Sequence, residues 1–533
     1  MFWKKSKDDK KLKLDDITNY VFPEFKEGNY YNVDALQQIF YIPGKDAEKI
    51  QKMVAESFCE QLEGASAKAW MQLDEKCRGR SIYSYYDRWD ASFEWKKCEP
   101  ERKKYMHLSD AEYNAVLCMG TFHWNGYYRE ICLKYLSKES GYLPYYIVRM
   151  NDWVKEVRET AYILLCGKMK CCNVMEIVSA MPMLERLLQS RRKSEKHIGE
   201  ILEIVYRRIN EDLAEQHLPL IVKQELSVRS SFYRLITREQ LLSRELMLGL
   251  LNMESYGTFQ ERILIGLFRF YRYSEREVNE YLMHKSSNVR YQALLQKEKM
   301  CPGVWEGIEN MLLDRAKKIR DNVIYVLTKY KGFNAGEFYR KELRANGNRI
   351  ALVEMGYYGT KEDLPLIGEY LKSDNQTVVR QALHAYGKVA GSTESDLYWK
   401  YLVSEELVLC REAYRIILAN KIHYGADVLW AEYQKRKNSP CSEYIIYLLI
   451  YEPVWKRMGY LLELYREPDL SDAVRYRVEQ AILRRNDYAV LSEHTADELV
   501  EFLERNRTDY PENMVKGLLF DIRVLQRELA AHR

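Results

Sequence analysis

A short phrase recurs along this chain: an aliphatic residue, then arginine, with an acid six positions before the arginine. It reads Asp152…Val157-Arg158, Asp314…Ile319-Arg320, Asp374…Val379-Arg380 and Asp469…Val474-Arg475. Looser copies stand at Val228-Arg229, Val289-Arg290 and Glu405…Cys410-Arg411. A phrase that returns at intervals requires a stack of similar units. Its positions are separated by 71, 61, 30, 60, 31 and 64 residues, one or two multiples of a unit of roughly 30–35 residues, the length of a helical pair. Degenerate copies fill the wider gaps at Arg191-Arg192, Gln260-Glu261-Arg262-Ile263, Asn348-Arg349-Ile350-Ala351 and Ser442-Glu443-Tyr444-Ile445. The spacing predicts about eleven units between residues ~140 and ~500.

One unit shows the physics. Leu364, Ile367 and Leu371 fall three and four apart on a first helix, with Pro365 near its start, where a missing N–H costs little. Lys372-Ser373-Asp374-Asn375 is turn chemistry. Val378, Val379, Ala382, Leu383 and Tyr386 then form the stripe of a second helix, closed by Gly387 or Gly391. So short a pair cannot bury its stripe alone and must stack on its neighbours. Asp374 is expected to accept backbone N–H groups at the second helix's start, and Arg380 to meet such acids within the unit or in the next. Five of the seven copies carry the acid, where 78 acids in 533 residues supply about one by chance; Lys223 and His284 depart from the pattern.

A chain of 533 residues exceeds the roughly 250–300 that one core holds, so it forms several domains or an array that grows by addition. With 25 Gly and 12 Pro against abundant Leu, Glu, Lys and Arg at helical spacing, an all-α protein is predicted. The net charge of +4, from 82 basic and 78 acidic residues, leaves no whole-molecule field aimed at nucleic acid or anionic membrane, although a local basic groove stays open. No signal-like apolar stretch follows Met1-Phe2-Trp3-Lys4-Lys5 and no apolar run of ~18 residues occurs. The expectation is a cytoplasmic chain whose 11 Cys stay reduced. Tyr is abundant, 43 against 15 Phe; its apolar body and polar tip suit half-buried helix faces or binding grooves, with composition bias as the plainer explanation.

The Asp, Val and Arg of the second-helix phrase, with first-helix prolines at Pro182, Pro302 and Pro365, resemble the HEAT-repeat family, near its PBS-lyase-like bacterial branch. The resemblance covers roughly residues 106–500. It implies a right-handed, armadillo-type α-solenoid, mostly the architecture of non-enzymatic scaffolds that bind partners on a curved surface, and it implies that the Asp and Arg are structural. The PBS-lyase-like flavour also raises a chromophore lyase or chaperone as a minor reading.

Residues 1–105 lack the phrase and are expected to form a helical, aromatic-rich cap with a basic tail, ahead of a solenoid over 106–533. Ala35, Ile39, Ile50, Met53, Val54, Phe58 and Leu62 mark helices broken by Pro43-Gly44, the second opening at Asp46 or Ala47. Six of the fifteen residues from Ser81 to Trp95 are aromatic. Such a segment either covers the open end of the stack or forms a recognition surface; on the second reading Tyr85, Tyr86, Arg88, Trp89 and Trp95 contact a partner.

Catalytic, cofactor and metal constellations are not found. Gly167-Lys168 lacks the rest of a phosphate loop, the nine His include no H-x-x-x-H pair, and Cys166, Cys171 and Cys172 are expected as buried thiols. Asp87 and Asp90, beside Trp89, are the one acid pair in an aromatic setting. Arg191-Arg192-Lys193 and Arg484-Arg485 read as solvated faces or, less favoured, phosphate contacts. The expected role is a scaffold or adaptor for a protein or peptide partner. The alternative is nucleic-acid binding or repair, since Trp70…Asp74 and Trp153…Glu156 have a spacing similar to the Trp and acid of DNA-alkylation-repair glycosylases built from HEAT-like helices.

Overall fold

The computed structural model describes residues 17–531 apart from 29, 31–32, 64, 79–93, 137–142, 191–193 and 485–490. Among the described residues every regular element is helical. The chain forms two compact units, up to Pro302 and from Gly303.

In the first unit, helical pairs follow one another: Asp110–Gly120 with Gly126–Leu136, Leu143–Arg149 with Lys155–Met169, Leu218–Val222 with Leu226–Ile236, Arg244–Met253 with Gly257–Phe270, and Glu275–Leu282 with Ser287–Met300. Three helices, Val174–Ser179, Met181–Leu188 and Glu195–Asp212, stand where one pair is expected. Leu226–Ile236 consequently packs chiefly on Met181–Leu188, and the stack then runs on through Gly257–Phe270 to Ser287–Met300. Lys45–Leu62 packs on Asp110–Gly120, and Ala67–Arg78 on Leu143–Arg149 and Met181–Leu188. One apolar core reaches from Val21 to Val289, so the division expected at 105/106 is not where contacts break; that break lies at 302/303.

The second unit pairs the 3-10 turn Ile308–Leu313 with α1 (Lys317–Lys331), Ala335–Asn346 with α2 (Arg349–Tyr358), Leu364–Glu369 with α3 (Gln376–Ala390), and Ser395–Leu402 with α4 (Leu407–Ala419). Ala426–Lys435 with Ser442–Tyr451, Val454–Tyr465 with Asp472–Leu483, and Glu493–Arg505 with Glu512–Ala531 complete it. Each second helix packs on the next, α2 on α3, α3 on α4 and α4 on Ser442–Tyr451. Both units are therefore α-solenoids of serially stacked helical pairs. Counting the three-helix segment as one, eleven units lie between residues 140 and 500 among the described residues, as the spacing predicts.

All seven aliphatic (or Cys) positions of the phrase are buried near the start of a second helix. They begin stripes such as Val157/Ala161/Leu165, Ile319/Val323/Leu327 and Val474/Val478/Ile482, all at most 1% exposed. Each large aliphatic so buried contributes about 1.5–3 kcal/mol, which drives the stacking.

The arginine does something the sequence did not show. In four of the seven copies its guanidinium donates to backbone carbonyls of the turn before its helix: Arg158 to Asp152 O at 2.7 Å, Arg290 to His284 O at 2.7 Å, Arg320 to Asp314 O at 2.6 Å and Arg475 to Glu467 O at 2.7 Å; Arg229 pairs with Glu254 of the next unit, and Arg320 also with Glu354 of the next, as the sequence reading allowed. Any residue presents a carbonyl, so His284 serves as well as an acid. Arg129, outside any phrase, and Gln260, in the degenerate copy at 260–263, make the same clasp, to His123 O and Glu254 O. The acid side chain caps where the turn is in register: Asp152 Oδ1 accepts from Val154 N and Asp314 Oδ1 from Ala316 N. At α3 the cap is Asn375, not Asp374, because the helix opens one residue later. At Asp472–Leu483 the cap is Ser471. Pro182 and Pro365 stand in first helical turns as expected, as does Pro219; Pro302 lies outside any helix.

Tyrosines tie successive units together. Tyr339 Oη donates to Leu312 O at 2.9 Å, Tyr370 to Leu343 O at 3.1 Å and Tyr401 to Leu371 O at 3.3 Å. Each phenol reaches back about one unit to a carbonyl at the end of the preceding first helix, a group with no partner inside its own helix.

Candidate functional site

The second-helix row α2–α4 carries a groove. Two glycines let these helices touch: a Cβ on Gly356 would stand 2.8 Å from Ala385 Cα, and one on Gly387 2.6 Å from Ile416 Cγ2. Gly387 is thus a close-approach residue within α3, and Gly391, at φ 66°, is the residue that ends the helix. Above these contacts lies a groove of about 700 Å³ lined by Val353, Arg380, Gln381, His384, Lys388 and Arg415, with Glu412 and Ile416 in its wall.

At its centre His384 Nδ1 lies 2.7 Å from Glu412 Oε1, and Arg415 Nη1 3.7 Å from Glu412 Oε2. Burial alone would raise the Glu412 carboxyl, but the His384 hydrogen bond and charge, with Arg415 and Arg380, outweigh it and hold the group below its ordinary value. Neither Arg380 nor Lys388 has an ion-pair partner among the described residues. Lys388 Nζ sits 3.6 Å from the centroid of the Tyr357 ring, and Lys317 Nζ lies 4.3 Å from the same centroid. Arg349 Nε donates to Gln381 Oε1 at 3.1 Å. Arg380, Lys388 and Arg415 thus line the groove from α3 and α4, with Lys317 and Arg349 of α1 and α2 beside it. The arrangement suits an anionic, partly apolar ligand.

The residues singled out in the sequence fall elsewhere. Tyr85, Tyr86, Arg88, Trp89, Asp87 and Asp90 lie outside the described residues, as do Arg191-Arg192-Lys193 and Arg485. Trp95 is 1% exposed and packs against His123 and Tyr128 at centroid distances of 4.1 and 4.7 Å. The expectation that it contacts a partner is corrected: its ring is core of the N-terminal packing. Cys171 is exposed and Cys166 and Cys172 are half-buried, so these thiols are not fully buried as expected; burial still raises Cys166, and Cys172 to about 11. No group of three or more metal-ligating side chains occurs among the described residues.

The two Trp–acid pairs belong to packing. Trp70 meets Tyr145 edge-on at 4.5 Å, and Asp74 is buried in an ion pair with Arg149. Arg149 Nη1 also reaches Asp152 Oδ2 at 2.9 Å, and Arg129 grips Asp152 through Nε at 2.9 Å and Nη2 at 2.6 Å. Arg129, Arg149 and Asp152 are all 0% exposed. Burial would raise the Asp152 carboxyl; the charges of Arg149 and Arg129 reverse this and hold it below its ordinary value. Trp153 covers Arg129, whose guanidinium carbon lies 5.2 Å from the ring centroid, while Glu156 is exposed.

Reasoning from the sequence missed Lys388, His384 and Arg415. The sequence spacing carries little signal: Lys317 and Arg349 open α1 and α2, whereas Arg380 lies one turn and Arg415 two turns into α3 and α4.

Fold and groove together place the chain among α-solenoid proteins. No family model matches it, and no curated protein matches it; the PBS-lyase-like branch expected from the sequence is not assigned. Solved structures similar to it include crystal structures of Kap121p (TM-score 0.29, 13% identity, covering 92% of this chain and 56% of that one), of a Kap121p triple mutant (0.28, 14%, 92% and 56%) and of Kap121p bound to RanGTP (0.26, 13%, 92% and 55%). The chain spans just over half the length of those chains. No described helix is long and apolar enough to cross a membrane.

Proposed function

We propose that this chain is a cytoplasmic, non-enzymatic scaffold that holds a segment of another protein in the second-helix groove of its C-terminal unit. The observation that carries this is the pair of cations, Arg380 and Lys388, set without ion-pair partners among the described residues in a groove that also presents Val353 and Ala419. Unneutralised charge beside apolar surface is what an interface keeps ready for a partner. Nucleic-acid binding is less well supported, because the Glu412 carboxylate in the groove wall opposes phosphate and the whole-chain charge is nearly balanced. Tyr85, Tyr86, Arg88 and Trp89 belong to the proposal as a second contact region.

The test is site-specific photocrosslinking of the full chain in its source cells. A photoreactive residue at Gln381 is expected to yield a discrete, nuclease-resistant protein adduct, and one at the exposed first-helix position Glu369 none. Equal adducts at both positions, or loss of the Gln381 adduct on nuclease treatment, refute the reading. Trp89→Ala in the same capture, with an unchanged melting curve, tests the second region.

A further inference from the structure

We infer that the segment held in this groove is anchored through an acidic side chain at Arg380 and Arg415, and that His384 sets how tightly: once it takes up a proton, the anchor is held more firmly. The inference rests on the scaffold reading above and adds the chemistry and the regulation of the same site. Arg380, His384 and Lys388 follow one another at one-turn steps along α3, so they share one face at about 6 Å per step. From α4, Glu412 and Arg415 enter the same groove. Glu412 is 4% exposed, and a carboxylate so buried needs a cation. His384 Nδ1, at 2.7 Å, is within hydrogen-bond reach of it; Arg415 Nη1, at 3.7 Å, is not. Arg380 acts on Glu412 through its charge and forms no ion pair with it among the described residues.

The proton on His384 decides what the two arginines are free to do. A neutral imidazole can donate Nδ1–H to Glu412 but carries no charge, so the carboxylate draws on Arg380 and Arg415 and repels an incoming anion. An imidazolium neutralises Glu412 itself and leaves both guanidinium groups to the ligand. His384 is the one histidine lining the groove, and histidine ordinarily changes charge between about pH 5 and 8. The charged groups facing it keep their charge over that range. They are Arg380 and Lys388 on α3, Arg415 on α4, Arg349, which bonds Gln381 from α2, and Glu412, held below its ordinary value. Glu354 of α2 is bound to Arg320, and Arg411 of α4 does not line the groove. Glu369, Lys372 and Glu394 belong to segments that meet the other flank of α3, where a Cβ on Gly368 would stand 3.8 Å from the Tyr386 ring and Glu394 acts on Tyr386. Tyr386 lies about 200° around the helix from His384.

The test is a pH series on the full chain with the rhodamine-labelled peptide Ala-Ser-Ala-Asp-Asp-Asp-Ala-Ser-Ala, read by anisotropy at low salt. Its side chains titrate near about pH 3.9, so from about pH 8 to about pH 5.5 a change in affinity reports the protein. A unit charge gained about 6 Å from the ligand is worth about three- to tenfold in affinity, and the peptide is expected to tighten by that factor as pH falls over this range. The same peptide with Asn for Asp is expected not to bind measurably. His384→Gln offers Glu412 a donor without a titrating charge and is expected to change by less than about twofold across the series. Glu412→Gln removes the competing carboxylate and is expected to bind, per folded molecule, about three- to tenfold more tightly than the parent at pH 8, a gain that misfolding does not produce. The inference is overturned by no binding of the Asp peptide, by a parent affinity that changes less than about twofold, by His384→Gln keeping the parent's pH dependence, or by Glu412→Gln binding no more tightly at pH 8. Equal binding of the Asn peptide, or of a single-stranded oligonucleotide carrying the charge of the Asp peptide, overturns it as well. A discrete adduct at Gln381 with any of these results rejects the acidic anchor and keeps the scaffold, whereas absence of that adduct rejects the scaffold itself.

Discussion

Removing the Asp152 carboxylate should unfold the first unit far more readily than removing Asp374, although both acids occupy the same place in the recurring phrase. Asp152 is 0% exposed, accepts two bonds from Arg129 and one from Arg149, and caps Val154 N at 2.9 Å. In Asp152→Ala, Arg149 keeps Asp74, but Arg129 keeps only the carbonyls of His123 and Trp124. Stripping one partner from a buried pair costs about 3–5 kcal/mol, within which the lost cap accounts for about 1. For a unit of this size that lowers the melting temperature by roughly 6–10 °C. Asp374 is exposed and Asn375 does the capping, so Asp374→Ala should stay within about 0.5 kcal/mol of the parent. The assay is thermal unfolding of the full chain at pH 7, followed by circular dichroism and by tryptophan fluorescence. Equal shifts for the two variants, or a loss below about 1 kcal/mol for Asp152→Ala, refute the reasoning. The pH dependence gives a second check. A carboxyl whose folded pKa is depressed stabilises above its unfolded value, near 3.8, and loses that stabilisation as pH falls through the folded value. The gap between parent and Asp152→Ala should therefore hold from pH 7 to pH 5 and close below about pH 3.8.

Four further outcomes are expected. Arg320→Met strands the 0%-exposed Glu354 and should cost about 3–5 kcal/mol in urea unfolding, whereas Arg320→Met with Glu354→Leu should recover most of it, giving a large coupling energy. Tyr339→Phe removes the 2.9 Å tie to Leu312 O and should cost about 1 kcal/mol in the same assay. Trp95→Ala should cost about 3–5 kcal/mol as a core truncation, with partner capture per folded molecule unchanged. Glu412→Gln should destabilise the second unit at neutral pH, and the difference from the parent should shrink as pH falls below about 4.5, since the Glu412 carboxyl is held below that value when folded.

The helical pairs, their number and the starts of the second helices were legible because burial fixes them. An aliphatic residue that must face the core in every unit imposes its own period on the chain, and Val157, Ile319 and Val474 show it. The acid partners that Arg229 and Arg320 find in the next unit were anticipated, but the arginine's carbonyl partner was not legible, because it is backbone. A clasp on a carbonyl leaves no trace in the identity of the residue it grips, which is why His284 serves in place of an acid and why Gln260 can stand in for arginine. The cap at α3 was missed by one residue, since helix starts follow tertiary fit as much as local preference. The role of Trp95 stayed open between cap and contact surface because an aromatic run has the same composition whether it faces a partner or a core; only the packing of His123 and Tyr128 around it decides. The groove escaped for the opposite reason. Lys388 and Arg415 face solvent and break no packing rule, so a reading that follows the core passes over them. In a stack whose buried positions are spent on holding each unit to the next, the unconstrained positions are the ones free to set what is bound. Cations that line the groove yet take no part in the clasp, Arg380, Lys388 and Arg415, are therefore where function is to be sought in a chain of this kind.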